Sequence, residues 1–495
     1  MIASTPGMHD CAVLHITSAA GGGSDRYIRD LAASTRRPHY LLHASTGTDV
    51  LEALGAGHFA PLRNFTSTES DTGPIARWLQ QSDIGILHLH GVDQVCRAHF
   101  DALQRARALP YLVTLHDLQF VNPRAFAGAG MPEPDAEWIG AIHSTLERAA
   151  MVIAPSAFIL DVALVCAPGI RATVIPPGLG APRVGGIPST PTDFAAHAPR
   201  HVVAIVGAVG PHKGSGMLQP LAAALRDSDI GIVVIGYTDT HLSRGWLVPG
   251  AVYVHGPYEE SALAGWLGAY GVETVLFPNR LPESFSYTLS EVWAAGVPVI
   301  VPDQGALGER VERDGGGWLL PAGFDGDEAA ALLVWLASPE GAAECARVKS
   351  KIAPGDAQRI PTLEAMARDT DALYERFGLP PSDAEGVAGT TEALAPLLAA
   401  NLDGFAFRKE LIKLSSELAI DRARLAEALS WNEGLERNAA AWSAKLEADI
   451  VELKTEIERL GVESRESASL KAACERFLPR FARSYLSRWA LRARR

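Results

Sequence analysis

Two acids bracket the most informative segment of this sequence, Pro282-Glu283-Ser284-Phe285-Ser286-Tyr287-Thr288-Leu289-Ser290-Glu291. An apolar strand, Thr274–Phe277, is expected to end in a loop carrying Glu283. Small hydroxyl residues then open a helix with Glu291 one to two turns inside it, and Gly296 stops that helix. The free amides and the macrodipole at such a helix start suit a diphosphate. Glu291 is close enough to that end to accept hydrogen bonds from a ribose, and Glu283 could reach the hydroxyls of a sugar. A simpler role is also available to Glu291, because Thr288-x-x-Glu291 fits a capping box.

Three further features could join that chemistry. Lys213 lies in the glycine-rich stretch Gly207–Ser215, where a cation would neutralise phosphate. His116 ends the apolar run Tyr111–His116, and the carboxyl end of a parallel strand is the active edge of α/β folds. Gly21-Gly22-Gly23 follows the run Ala12–Thr17 and would admit a close backbone approach. His88 and His90 alternate along a strand, and at most one of them is expected to matter. Other motifs fail. Gly207–Ser215 has His-Lys-Gly where a Walker A loop needs Gly-Lys-Ser or Gly-Lys-Thr, and the glycine cluster does not match GxGxxG. Asp369-Thr370-Asp371 lies inside a helical pattern, and neither GxSxG nor HExxH is present.

Elements of a consistent kind must position these residues. Strands are expected at Ala12–Thr17, Ile84–His90, Tyr111–His116, Met151–Ala154 and Ala172–Ile175, interleaved with helices, one of them starting near Ser24. A Pro- and Gly-rich stretch from 176 to about 200 then reads as a hinge. The pattern restarts with His201–Val206, Ile230–Ile235, Ala251–Val254, Thr274–Phe277 and Val297–Val301. The fold class is therefore α/β, with Rossmann-like domains over residues 1–180 and 200–378 facing across a cleft.

Beyond a linker at 379–405, a seven-residue series places leucine at six of eight positions, Leu411, Leu418, Leu425, Leu446, Leu453 and Leu460, with Asn432 and Ala439 between. A coiled coil is expected over 406–465, binding a second copy or a protein partner through residues 411–460. Residues 470–495 read as a basic amphipathic tail, in which 471–495 interleaves aromatic residues with arginines and would rest on an anionic membrane surface.

Bulk properties narrow the classes. The net charge of -13 argues against nucleic-acid binding. Five scattered cysteines without a CxxC pair argue against a disulfide framework or zinc site, and fit a reducing compartment. With no signal-peptide pattern and no span of about 18 apolar residues, the expected location is the cytoplasm, peripheral to the inner face of the membrane through the tail.

Taken together, these segments resemble a family. Glu283 and Glu291 in Pro-Glu-Ser-Phe context, followed by Ala294-Ala295-Gly296-Val297-Pro298-Val299, look like the donor site of retaining glycosyltransferases of the family 4 type, which have the GT-B fold. The likeness extends over roughly residues 10 to 340 and includes His88-Leu89-His90-Gly91, Thr114-Leu115-His116-Asp117, Pro155-Ser156, Val174-Ile175-Pro176-Pro177-Gly178 and His212-Lys213-Gly214. The resemblance implies a nucleotide-sugar donor, a glycan acceptor, charge neutralised by protein cations and helix amides without a metal or other cofactor, and transfer with retention of anomeric configuration. It gives Gly22 and Gly23 the donor diphosphate or acceptor, Lys213 the diphosphate, and Ser286 a place at the donor. The amides of Thr288 and Leu289 would stabilise the departing nucleotide, Glu291 the ribose, Glu283 the transferred sugar and His116 the anomeric centre. One departure stands out: Ala208 occupies the position where such enzymes often place a phosphate-clamping arginine. That departure leaves a second expectation open, a catalytically weak scaffold that assembles partners through its coil.

Overall fold

The computed structural model describes residues 11–18, 21–44, 48–54, 58–63, 78–80, 82–126, 130–180, 188–352 and 359–380. The expected linker, coiled coil and basic tail lie outside the described residues, apart from the start of the linker.

Two sheets form the body. The first has eight strands, β1 Ala12–Thr17, β2 His39–His43, β3 Thr48–Ala53, β4 His58–Arg63, β5 Ile84–Leu89, β6 Tyr111–Thr114, β7 Met151–Ala154 and β8 Ala172–Val174. Their spatial order is β4-β3-β2-β1-β5-β6-β7-β8. Pairing is parallel from β2 to β8, while β3 and β4 add an antiparallel edge. The second sheet has seven, β9 His201–Val209, β10 Ile230–Thr238, β11 Gly245–Val248, β12 Val252–Val254, β13 Val272–Leu276, β14 Val299–Pro302 and β15 Gly317–Leu320. Its order is β11-β12-β10-β9-β13-β14-β15, parallel except at β11.

Central strands such as β1 and β5 are buried along their whole length, as continuous apolar runs in a sheet covered on both faces require. Five helices matter to the site: α1 Gly22–Ser34, α2 Ala157–Cys166, α3 Tyr287–Ala294, α4 Gly305–Asp314 and α5 Leu363–Phe377. Tyr27, Ile28 and Leu31 of α1 pack with Val13, Leu41 and Ile86 on one face of the first sheet. Met366, Ala367 and Tyr374 of α5 complete that same layer. The chain thus returns to the first sheet after building the second, and Arg37 seals the return by donating from Nε to Asp371 at 2.6 Å. Asp369-Thr370-Asp371 belongs to this packing helix, with Thr370 fully buried.

Candidate donor site at the carboxyl edges of the two sheets

A cavity of about 590 Å³ opens between the carboxyl ends of the strands of both sheets. From the first domain it takes Gly22, Gly23, Arg26, His116 and Asp117; from the second, Lys213, Glu283, Ser286, Thr288 and Glu291. The structure therefore brings Gly22, Gly23, His116, Lys213, Glu283, Ser286, Thr288 and Glu291 to one place. Leu289 is the exception: its side chain is fully buried, and its amide donates to Ser286 Oγ at 3.3 Å.

The start of α3 is held open by strain. Ser286 has φ 73°, the only positive φ at a non-glycine residue among the described residues, and such backbone persists only where its surroundings over-determine it. Arg310 of α4 does so here. It is 2% exposed, its Nη1 donates to the carbonyls of Phe285 and Ser286, and its Nη2 donates to Ser290 Oγ. Its guanidinium also lies 4.3 Å from the Phe285 ring centroid. Burial pulls its pKa down to about 9, which still leaves it cationic at neutral pH. The cap of α3 is Ser286 rather than Thr288, so the alternative capping-box role for Glu291 does not arise. The Thr288 amide has no partner among the described residues, as the first turn of a helix allows.

Around that helix start the charges are loosely committed. Lys213 Nζ stands 3.9 Å from Glu283 Oε1, beyond hydrogen-bond reach, and its side chain is 36% exposed. Asn279 Nδ2 donates to the same Oε1 at 2.7 Å. Gly214 shapes the lysine loop: it has φ 82°, and a Cβ there would meet the Pro278 carbonyl at 2.1 Å. The His212 carbonyl accepts the Arg280 amide at 2.9 Å, which joins the lysine loop to the Glu283 loop. Gly22 has φ 71° with nothing within 4 Å of a Cβ built on it, so its open side faces space rather than protein.

The domains touch across the cavity at defined points. Ser284 Oγ donates to the His116 carbonyl, and Glu309 of α4 accepts the Ala157 and Phe158 amides at the start of α2. Arg26 of α1 donates from Nη1 to Glu291 Oε1 at 2.6 Å and lies 4.4 Å from the Tyr287 ring centroid. Sequence reading did not single out Arg26. Its signal was the short step from Gly23, which puts a basic residue one turn into the helix behind the glycine cluster.

His116 is half-buried, and burial lowers its pKa to about 4. It is a neutral imidazole at physiological pH. Its Nε2 is 2.9 Å from His90 Nδ1. Next to it, burial raises Asp117 to about 6, against the pull of the Gln119 amide. His88 and His90 both face the layer beneath α1, because residues two apart on a strand share a face. His88 spans Tyr374 Oη and Thr114 Oγ1, while His90 reaches His116.

Comparison with known proteins agrees with this geometry. Residues 200–338 match the family described as glycosyl transferases group 1. The GDP-mannose-dependent alpha-mannosyltransferase of Mycolicibacterium smegmatis is 35% identical over 131 residues, 26% of this chain. That match spans about a third (32%) of the relative's length. Among solved structures, Anabaena HepE in complex with UDP and glucose superposes with a TM-score of 0.55 at 15% identity, covering 74% of this chain and 100% of that one. Sucrose-phosphate synthase from Thermosynechococcus elongatus gives 0.51 at 18% identity, covering 74% and 98%. Residues 200–338 of this chain thus match the group 1 glycosyl transferases, and they are set in a body with the two-domain GT-B fold.

Proposed function

We propose that this chain transfers a sugar from a nucleotide-sugar donor to a glycan acceptor, with retention of anomeric configuration and without a required metal. The observation that carries the reading is the convergence of Lys213, the open amide end of α3, Glu283 and Glu291 in one cavity, faced by His116 from the other sheet. The diphosphate would lie between Lys213 and the Thr288 amide, where a cation and a helix start offset the charge that develops on the leaving nucleotide. The ribose would take Glu291, displacing Arg26 from it. Released from that pair, Arg26 would supply a cation on the side opposite Lys213, which offsets the arginine missing at Ala208.

Glu283 would hold sugar hydroxyls. Its Oε1 is held by Asn279, and among the described residues its Oε2 makes no hydrogen bond. HepE was solved with UDP-glucose and the mycolicibacterial relative is named for GDP-mannose, so these two donors head the list for screening. The setting we propose is bacterial surface polysaccharide synthesis at the cytoplasmic face of the membrane. No helix among the described residues is long and apolar enough to cross a membrane.

The test is a thermal-shift titration with UDP, GDP, ADP and CMP in the presence of EDTA, on the wild type and on Lys213→Ala. A ligand that binds only the folded state adds about 2.7 kcal/mol at a hundredfold excess over Kd. One nucleotide should raise the melting temperature of the wild type and leave that of Lys213→Ala unmoved. If none does, the donor site is not functional and the scaffold reading replaces it. Retention is then read from the anomeric proton of the product by NMR; an inverted product overturns that part.

A further inference from the structure

Beneath α1 the first sheet buries a file of imidazoles. Thr35 Oγ1 lies 2.6 Å from His39 Nε2, His39 Nδ1 lies 2.8 Å from His15 Nε2, His15 Nδ1 lies 2.8 Å from His90 Nε2, and His90 Nδ1 lies 2.9 Å from His116 Nε2. His15, His39 and His90 are 0%, 3% and 4% exposed. Strand order builds the file: β1 lies between β2 and β5 and β6 follows, so that His39 of β2 and His15 of β1 line up with His90 and His116, which sit just past the ends of β5 and β6. One end is the half-buried Thr35 at the close of α1, and the other is His116 in the donor cavity.

Burial keeps all four rings neutral, with each holding a single N–H. A neutral imidazole donates at one nitrogen and accepts at the other, so the direction of any one bond in the file sets the direction of all. Only two arrangements satisfy every bond. In one, each N–H points toward Thr35 and His116 presents an acceptor Nδ1. In the other, each points toward the cavity and His116 presents a donor Nδ1–H. Adding a proton at His116 Nδ1 and removing one at Thr35 converts the first into the second.

We propose that His90, His15 and His39 form a proton relay that fixes the tautomer of His116 and lets it take the proton released in sugar transfer without becoming charged, a proton leaving for solvent at Thr35 and returning there once the product has gone. This rests on the transfer reaction proposed above. In that reaction the acceptor O–H bond breaks as the glycosidic C–O bond forms. The C–O bond to the diphosphate breaks, and its electron pair leaves with the nucleotide. The acceptor proton passes to His116 Nδ1. The Nε2 protons of His116, His90 and His15 each move to Nδ1 of the next ring, the Nε2 proton of His39 moves to Thr35 Oγ1, and the Thr35 hydroxyl proton goes to water. When the product leaves, His116 Nδ1–H loses its proton to water in the cavity and Thr35 takes one up, restoring the first arrangement.

A metal is the rival use of these rings, since His15, His88 and His90 bring ligating nitrogens within 4.8 Å of one another. The spacing argues against it. Two nitrogens on one tetrahedral zinc stand about 3.3 Å apart, whereas the His15–His90 pair is at 2.8 Å. Both nitrogens of His88 are already taken by Tyr374 and Thr114.

His15→Gln separates relay from positioning, because an amide offers one donor and one acceptor but does not readily hand a proton through. Thr35→Val cuts the exit from a half-buried position with little threat to folding. Two measurements are made on the full chain. The first is the ¹⁵N spectrum of histidine-labelled protein, which distinguishes protonated from unprotonated ring nitrogens. The second is release of nucleoside diphosphate from GDP-mannose and UDP-glucose with water as acceptor.

The relay requires the four rings of the wild type to show one shared orientation, and His15→Leu to release His116 from it. Both His15→Gln and Thr35→Val should slow nucleotide release about tenfold or more while leaving the nucleotide-induced thermal shift intact. A wild-type rate in His15→Gln would overturn the relay, as would mixed tautomers in the wild type. If the wild type turns over neither donor, the transfer reading fails for them, and the ¹⁵N spectrum alone then decides whether the shared tautomer exists.

Discussion

The two sheets offer the cleft opposite kinds of chemistry. Apart from Arg26 and Asp117, the edge of the first is uncharged and internally satisfied: a file of neutral imidazoles, each bonded to the next, buried beneath α1 and α5. The edge of the second is charged, with a lysine at 3.9 Å from its acid, a strained Ser286, an open helix start and a Glu291 that is held by Arg26. Buried polar groups hold their geometry when every bond is made, whereas a site for a charged ligand needs charges that are not already neutralised. The difference fits the proposal that one domain handles protons while the other binds the anion and the sugar.

The sharpest break in that comparison should come from Glu283→Gln. The change is isosteric, so Asn279 and the loop keep their packing, but the charge facing the sugar is lost. We expect nucleotide-dependent sugar release to fall by about 10²–10³, the scale of removing one group that stabilises a transition state, with little change in melting temperature. Steady-state rates on the donor identified by thermal shift check this; a loss below threefold would remove Glu283 from the chemistry.

Next in size is an acid sensitivity that belongs to the first domain. His39 and His116 are held by burial at about 3 and about 4, below their ordinary value of about 6.5. The folded state therefore binds fewer protons than the unfolded chain. Their stabilisation is present above about 6.5 and is lost as pH falls through the folded values, about 3 kcal/mol from a single such ring. Asp117 works in the opposite sense: its folded pKa of about 6 lies above the unfolded one, so its ionisation destabilises as pH rises from about 4 through 6. Melting curves from pH 7 to 4 should show a steep fall in the wild type and a steeper one in Asp117→Asn. A flat profile would show that the rings are not held neutral.

Much of the second domain's edge was legible because its parts are neighbours in sequence. Glu283, Ser286, Thr288 and Glu291 span nine residues, and a strand, loop and helix start can be read locally. Arg310 was not legible, since nothing near it says that it will fold back onto the carbonyls of Phe285 and Ser286. The imidazole file was equally hidden. His15, His39, His90 and His116 meet only when β2, β1, β5 and β6 are in register, and β2 itself was missed because His-Tyr-Leu-Leu-His lacks a long apolar run. The central strands β1 and β7 matched their expected limits, while β3, β4, β11 and β15, short or edge strands at the margins of the sheets, carried no comparable signal. The partner of the Leu289 amide was not legible either, because the strained Ser286 turns its own hydroxyl onto it.

A smaller effect tests the open face of the glycine cluster. In Gly22→Ala the new methyl meets no protein atom within 4 Å, so its cost to folding is the backbone penalty at φ 71°, about 1 kcal/mol. If ligand occupies that space, nucleotide or acceptor affinity should fall by more than this penalty explains, which isothermal titration would resolve. Unchanged affinity would leave Gly22 a turn residue.

The smallest effect concerns the Arg26–Glu291 ion pair, which joins the two chemistries. Arg26 and Glu291 are 20% and 14% exposed, so their attraction is partly screened and should couple by about 1 kcal/mol. A double-mutant cycle of Arg26→Ala and Glu291→Gln, read by thermal melting without ligand, measures it. With saturating nucleotide the coupling should vanish, because a ribose on Glu291 and an arginine on Glu291 exclude each other. Coupling that survives saturation would mean that the ribose binds elsewhere, and that the pair only fastens α1 to α3. Its disappearance would mean that Arg26 of the first domain holds Glu291 in check until donor arrives.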